Sequence, residues 1–386
     1  MSKKSEISQI RNPFVFGSIV DGEDFCNRVE EMRRIRQYIY DVYSFWLYSP
    51  RRYGKSSLIK RVFNDLPDTT TVYMDFYNVK DLDDFARKYS KILGEATFNW
   101  KQEVKKITAS MAKYFKNLYP KISFDETGSP SLSLEKTEIN TQLDIEQILN
   151  MPESFARDSK TKICVAFDEF QEIERIDPFI INWMRTVFQN HKHVSYIFLG
   201  SKQTLMESIF SSIHSPFYEF AIKMDLDAIS LEDLSRFIRE KFEKSHLIIE
   251  DHTIEDIIGK AEAHPHFTQY FASVVFDLLR GGADQNDESF SGDWMQQILN
   301  SQGIIFQNIY DQLSTIQRIT AMAVAASDEE TELYSAASRK AYGLPASSTL
   351  SISLNALVKK DLIYKVKGKY KVNNPVFKAW LNQLPR

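Results

Sequence analysis

Short apolar runs and amphipathic stretches alternate along the chain up to Ser230. The apolar runs are typical of buried strands and lie within "SFWLYS", "TTVYMDFYNV", "KICVAFDEF" and "VSYIFLGS". Amphipathic stretches typical of helices separate them, including "KSSLIKRVFNDL", residues 81–96 and "INWMRTVFQN". Because strands that alternate with helices usually form a parallel sheet covered on both faces, the pattern predicts an α/β fold. A first helix is expected near Asn27, an N-cap residue followed by Glu30 in the manner of a capping box.

Two regions depart from this alternation. Residues 97–160 are polar, with a basic helical stretch, "KKITASMAKYFKNLY", and an alternating piece, "SLSLEKTE", and we expect them to elaborate the first domain. After Ser230 helices dominate, in "LEDLSRFIREKFEKS", "TIEDIIGKAEA" and "FTQYFASVVFDLLR", with Pro265 marking a break before the last. Residues 281–293 have the composition of a linker. Two or three further helices then lead to alternating runs around Gly368 that predict a β-hairpin.

Composition places the chain among ordinary globular proteins. Of 386 residues, 43% are hydrophobic and 26% are charged, and two cysteines, Cys26 and Cys164, are too few for a disulfide framework. No apolar stretch approaches the about 18 residues of a membrane span, and the N-terminus lacks the apolar region of a signal peptide. We therefore expect a cytoplasmic protein without a membrane partner.

Charge is distributed unevenly along the chain. From Leu333 to the C-terminus ten Lys and Arg residues accompany a single acid, Asp361, whereas the whole chain has a net charge of −4. A basic C-terminal segment on an acidic body suggests that the two parts have separate roles.

The segment "SPRRYGKSSL", residues 49–58, contains most of a phosphate-binding loop. Gly54, Lys55 and Ser56 match the second half of the pattern Gly-x-x-x-x-Gly-Lys-Ser/Thr, between an apolar strand and a helix. In such a loop backbone N–H groups surround the phosphates, the lysine adds positive charge, and the hydroxyl binds Mg²⁺. Ser49 replaces the first glycine, which is tolerable unless that turn needs a positive φ. A chance Gly-Lys-Ser in a lysine-rich chain is the alternative.

The second half of such a site is expected at the end of "ICVAFDEF". Asp168 would hold Mg²⁺, and Glu169 would polarise the attacking water. A strand that merely ends in a charged turn is the alternative. A third strand ends in Ser201, whose side chain would reach the γ-phosphate or the water.

Together these motifs resemble a known family, the archaeal-type P-loop ATPases, a branch of the AAA+/STAND group. The matching pieces cover nearly the whole chain: "FCNRVEEMRRI", "SPRRYGKSSLI", "VYMDFYNV", "CVAFDEFQEI", "IFLGSKQTLM", "SPFYEFAI", "AHPHFTQYFA" and "LVKKDLIYKVKGKYKVNNPVFKAWL". The resemblance implies a P-loop ATPase domain with a five-stranded parallel sheet at residues 1–230. It also implies a helical lid at 231–292 and a winged-helix domain at 293–386.

The resemblance also assigns residues to an ATP site. The nucleotide would be lined by Asn27 and Arg28 near the adenine and ribose, by the loop residues Pro50, Arg51, Arg52, Tyr53, Gly54, Lys55, Ser56 and Ser57, and by His264 and Pro265 of a lid motif. Lys55, Glu169 and Ser201 would be catalytic, and Ser56 and Asp168 would hold Mg²⁺. In the lid motif Ala263 stands where the family usually has glycine. A plain helix-cap or surface histidine is the alternative for His264.

One departure from the family bears on the rate of hydrolysis. Members commonly carry an arginine after the Ser-Pro-aromatic-Tyr stretch, where this chain has Glu219 and Phe220. If that arginine stabilises charge on the γ-phosphate, hydrolysis is expected to be slow, and neither Arg51 nor Arg52 is an obvious replacement.

The expected function is therefore a slow Mg²⁺-dependent ATPase that acts as a nucleotide-driven switch, with ATP or ADP bound between the P-loop domain and the lid. ATP-dependent self-assembly is left open. The alternative function is a winged-helix DNA-binding regulator that binds ATP with little turnover.

The basic C-terminal segment has the order of a winged helix, a helix followed by a hairpin. Leu350, Leu354 and Leu357 fall on one buried face of the helix, so that Thr349, Ser353 and Lys360 are expected to point elsewhere. The hairpin lysines, expected to share one face, are Lys365, Lys367, Lys369 and Lys371. Contact with DNA, an interface with a protein, and an edge strand protected by lysines are the open alternatives.

Overall fold

The computed structural model describes residues 10–20, 22–97, 120–124, 130–134, 141–226, 228–328, 331–366 and 368–385. They divide into two units. One contains Arg28–Ser49 and Lys55–Leu226, and the other contains the chain up to Asn27, Pro50–Gly54 and the chain from Asp227 onward. Within the described residues no helix combines the length and apolar character that crossing a membrane requires.

A five-stranded parallel sheet forms the centre of the first unit, as predicted. Its strands are β1 (Phe45–Tyr48), β2 (Thr69–Asp75), β5 (Lys162–Asp168), β6 (Val194–Gly200) and β7 (Ile222–Asp225), in the order β2-β5-β6-β1-β7. Neighbouring strands all pair in parallel. A separate antiparallel pair is formed by β3 (Pro120–Phe124) and β4 (Pro130–Leu134).

Helices accompany the sheet in this unit. They are α1 (Val29–Tyr40), α2 (Lys55–Asn64), α3 (Leu82–Thr97), α4 (Gln142–Ser159), α5 (Ile180–Phe188) and α6 (Gln203–Phe210). Helix α4 lies in the region expected to be a polar elaboration, but Ile145, Ile148 and Leu149 of its apolar face are fully buried. The basic helical stretch predicted within residues 105–119 lies outside the described residues.

Aromatic side chains pack around β5 and β6, the two neighbouring strands that end at the candidate site. The Phe167 ring of β5 lies within 6.2 Å, between ring centroids, of Phe188, Tyr196 and Phe198. Every residue of β6 is buried. Burying an aromatic side chain stabilises a fold by about 1.5–3 kcal/mol, so these contacts fix the positions of the strand ends.

The described residues of the second unit form helices and a C-terminal hairpin. Its helices are α7 (Leu231–Lys244), α8 (Asp251–Lys260), α9 (Pro265–Arg280), α10 (Phe290–Asp311), α11 (Thr315–Ala326), α12 (Ala336–Ala341), α13 (Ser347–Lys359) and α14 (Pro375–Gln383), and its strands are β8 (Ile363–Val366) and β9 (Lys369–Val372). One hydrophobic core includes residues from α9, α10 and α13, among them Phe271, Trp294 and Leu354. Helix α10 begins inside the predicted linker, which leaves residues 281–289 as the connection. The three-domain division stays a prediction.

The start of α1 corrects one local prediction. The helix begins at Val29, and its N-cap position is Arg28, which has a φ of 85° and no side-chain capping bond. Asn27, with a φ of 47°, instead donates from Nδ2 to the Asp233 carboxylate. The capping-box prediction at Asn27 is therefore wrong. The helix begins one residue later than predicted, and the Asn27 side chain binds Asp233 instead.

Helix α13, the helix that precedes the hairpin, confirms part of the prediction made for it. Leu350, Leu354 and Leu357 are fully buried. Ser353 is buried too, and its hydroxyl donates to Thr320 Oγ1 at 2.8 Å. The prediction that Ser353 points away from the core is wrong, because a hydroxyl partner on α11 allows it to be buried.

The hairpin corrects the prediction that its lysines share one face. The strands pair Lys365 with Tyr370 and Tyr364 with Lys371. A two-residue turn pairs odd-numbered with even-numbered positions, so Lys365 lies on the face opposite Lys369 and Lys371. Lys369 also forms an ion pair with Glu332 at 2.5 Å. Lys367 lies outside the described residues.

Candidate nucleotide site

The carboxyl ends of three neighbouring strands meet at one edge of the sheet. Ser49 follows β1, Asp168 ends β5 and Ser201 follows β6, and β6 lies between β1 and β5. Ligands of open parallel sheets commonly bind at such an edge.

The phosphate-loop segment has the backbone geometry that its glycine allows. Lys55 begins α2, is only 5% exposed, and donates from Nζ to the Ser49 carbonyl at 2.7 Å. Gly54 has a φ of +88°, in the left-handed region that other residues rarely adopt. Ser49 is not among the residues with positive φ. The conformation therefore explains why a serine is accommodated at the first position and a glycine is needed at Gly54.

Substitutions at the two ends of this loop should have unequal effects. Gly54→Ala should lower ATP affinity by about tenfold, since a left-handed conformation costs a residue with a Cβ about 1–2 kcal/mol. Ser49→Gly should change affinity little, because Lys55 bonds the backbone carbonyl, which glycine retains. Calorimetric titration with Mg-ATP measures both. An equal loss in the two variants would contradict this account of the loop.

Ser56 and Asp168 come together as the pair expected to hold Mg²⁺. The Ser56 hydroxyl donates to Asp168 Oδ2 at 2.6 Å, and the Tyr73 hydroxyl donates to the same oxygen. Burial, followed by the charge of Asp168, raises the pKa of Tyr73, so Tyr73 stays protonated as a donor. Hydroxyl and carboxylate oxygens are the ligands Mg²⁺ prefers, so this donor set fits that ion. Sequence reasoning missed Tyr73.

Glu169 and Ser201 also lie together. The Ser201 hydroxyl, which is buried, donates to Glu169 Oε2 at 2.7 Å, and the Gln171 amide donates to the same oxygen. Glu169 has a φ of 50°, and non-glycine residues in this region are often found at functional sites. Gln171 was missed because the strand-end pattern points only to the two acids.

The tip of the loop contacts residues of its own unit. His264 Nε2 donates to the Arg51 carbonyl at 3.2 Å, and the His264 ring lies 4.7 Å from the Tyr53 ring. Burial, with repulsion from His266, lowers the pKa of His264 to about 3, so the imidazole is neutral with its proton on Nε2. Arg51 forms an ion pair with Asp361 at 3.1 Å.

Other residues of the phosphate loop and of the lid motif also have defined positions. Arg52 Nη1 lies 3.3 Å from His266 Nε2. Ala263, which takes the place of the family's glycine, has a φ of 53°, the conformation in which glycine is favoured. Pro265 is at the first position of α9.

The remaining predicted residues have structural contacts of their own. Arg28 is buried and bonds Glu31 at 2.8 Å, and Ser57 is buried within α2. Phe220 packs on Phe198 and Phe217, and the Arg185 guanidinium lies 4.9 Å from its ring centroid. The position where the family commonly has arginine thus contributes to the core here.

Two family models match different parts of the chain. Residues 25–265 match the family described as an ATPase domain predominantly from Archaea, and residues 304–383 match a "probable winged helix domain". A search of curated proteins found no match.

Solved structures share the fold at low sequence identity. The Walker-type ATPase PABY2304 of Pyrococcus abyssi is 18% identical, with a TM-score of 0.65 over 97% of this chain and 99% of that one. The ORC2 protein of Aeropyrum pernix, solved in ADPNP-ADP complexes, is 12% identical, with a TM-score of 0.51 over 98% of this chain and 97% of that one. Since the family match spans more than half of the chain, the protein belongs to the family of ATPase domains found predominantly in Archaea and carries a winged-helix domain at its C-terminus.

Proposed function

We propose that this protein binds ATP with Mg²⁺, hydrolyses it slowly, and acts as a nucleotide-driven switch. The observation that carries the proposal is the hydrogen bond between Ser56 and Asp168, which joins the phosphate loop to the acidic end of β5. Lys55 precedes Ser56 and Glu169 follows Asp168 in the sequence, so a cation and a candidate base are the chain neighbours of the two candidate metal ligands. The family match supports ATP as the nucleotide.

Each of these groups has a role in phosphoryl transfer to water. The loop N–H groups and Lys55 would bind the phosphates. Ser56 and Asp168 would hold Mg²⁺, which when bound neutralises phosphate charge. Glu169 would accept a proton from the attacking water while the water oxygen bonds to the γ-phosphorus and the bond from that phosphorus to the β,γ-bridging oxygen breaks, which releases ADP. Ser201 would orient the Glu169 carboxylate.

Slow turnover follows from the packing of Phe220. An arginine that stabilises the transition state contributes about 10³-fold or more in related reactions. Phe220 cannot supply that charge, so we expect the rate to rise where another protein, or another copy of this chain, provides it.

Phosphate release by the purified protein tests this proposal. We expect Mg²⁺-dependent hydrolysis well below about one per second, with specific activity that rises with protein concentration or on adding a partner. Fast turnover that is independent of concentration would contradict the slow switch. A chain that neither binds nor hydrolyses ATP would contradict the whole proposal.

A DNA-binding regulator is the second candidate function. The winged-helix match favours it, together with Lys359 and Lys360, which are exposed at the C-terminal end of α13. ATP binding without measurable hydrolysis, combined with salt-dependent retention of duplex DNA, would favour this function over the switch.

A further inference from the structure

The side chain of Gln171 lies between the ends of two central strands. Gln171 is 2% exposed and is the second residue of the turn after β5, two residues beyond Glu169. This turn is a 3₁₀ helix, Phe170–Arg175, whose first residue is fully buried in the aromatic core. The backbone that carries Gln171 is therefore firmly anchored.

The Gln171 side-chain amide forms hydrogen bonds through both its Nε2 and its Oε1 atoms. Its Nε2 donates to Glu169 Oε2 and lies 3.4 Å from Ser201 Oγ, and its Oε1 accepts from the Ser201 backbone N–H at 3.3 Å. The opposite orientation would place a carbonyl against a carboxylate and an amide N–H₂ against an N–H. The two neighbours therefore fix the orientation of the amide.

Gly200 provides the space for this amide. A Cβ placed on Gly200 would lie 2.8 Å from Gln171 Oε1 and 2.3 Å from Met206 Sδ. The end of β6 has a glycine here although its φ is not positive, so the requirement is close approach rather than backbone conformation.

We infer that Gln171 is a positioning residue for Glu169, and this inference rests on the proposed ATPase function. Gln171 and Ser201 both bond Oε2, which would hold the carboxylate plane and leave Oε1 to accept the proton of the attacking water. A general base acts only when its lone pair faces the proton it removes, and a displacement of about 1 Å costs about 10²-fold in rate.

Two substitutions separate positioning from packing. Gln171→Met keeps the length of the side chain but removes its donor and its acceptor, and we expect kcat to fall at least about tenfold with the Kd for ATP within about twofold. Gln171→Glu keeps the length and replaces the donor with a carboxyl group. Gln312→Glu, on an exposed residue at the end of α10, is the control for the charge change. Rates are normalised to the number of ATP-binding sites, so misfolded protein does not count.

The separation of kcat from ATP affinity is the decisive readout. Gln171→Glu places a second carboxyl group where the wild-type amide donates to Glu169 Oε2. Without that donor we expect kcat of Gln171→Glu to fall at least about tenfold, as in Gln171→Met, with the Kd for ATP within about twofold of wild type and of Gln312→Glu.

The possible results distinguish failure of the positioning role from failure of the proposed ATPase function. Wild-type-like kcat in both Gln171 variants would overturn the positioning role alone. A loss of kcat with a matching loss of ATP affinity and of thermal stability would show packing and overturn it as well. No phosphate release by wild type would reject the proposed function, and the inference with it.

Discussion

Lys55→Ala should bind ATP about 10²-fold more weakly than the wild-type protein. The substitution deletes a buried ammonium group at the start of α2, and a hydrogen bond to a charged group contributes about 1.5–3 kcal/mol. Isothermal titration with ATP, in the presence and absence of Mg²⁺, measures the change. Lys91→Ala is a matched control, because Lys91 is exposed on α3 in the same unit.

Equal affinity in Lys55→Ala and the control would reject the phosphate site. Lys55 Nζ also bonds the Ser49 carbonyl, so the variant needs a folding check. Thermal unfolding without nucleotide provides it, and a variant with near-normal stability and lost affinity would assign the effect to phosphate binding.

Glu169→Gln should retain ATP binding and lose hydrolysis by about 10²-fold or more. The amide has nearly the shape of the carboxylate but cannot accept a proton, and general base catalysis is worth about 10²–10⁴-fold. Phosphate release under single-turnover conditions measures the chemical step. Glu174→Gln is the matched control, since Glu174 lies on the 3₁₀ helix that follows Glu169 and has an exposed side chain.

Asp168→Ala provides a contrast with Glu169→Gln. Loss of this carboxylate should weaken the dependence on Mg²⁺, because Asp168 is the acidic partner of Ser56. Hydrolysis by Glu169→Gln at the wild-type rate would show that this carboxylate is not the base.

The central strands could be predicted because they are buried on both faces. The runs that became β5 and β6 are predominantly apolar, which marks such strands without knowledge of their neighbours. The edge strand β7 gave no such signal, since Met224 is its only buried residue. Helix α4 was hidden by polar residues around it, although its buried face has helical spacing.

In the candidate site, too, some residues could be predicted from the sequence and others could not. Lys55, Ser56, Asp168 and Glu169 occur in local motifs whose spacing carries their chemistry. Tyr73 reaches Asp168 only because β2 pairs with β5 in one register, in which Tyr73 lies opposite Ala166. Contacts that depend on strand register cannot be read from a motif.

The ion pair between Arg51 and Asp361 joins the phosphate loop to the turn that precedes β8. Half-exposed pairs of this kind contribute about 0–1 kcal/mol, which corresponds to at most about fivefold in an equilibrium constant. If bound phosphates draw Arg51 away from Asp361, ATP binding shifts the equilibrium between the held and the released turn by at most that factor. Because thermodynamic coupling is reciprocal, a ligand of the winged helix that engages Asp361 would change ATP affinity by the same factor. This ion pair can therefore couple ATP binding to ligand binding at the winged helix by at most about fivefold, in either direction.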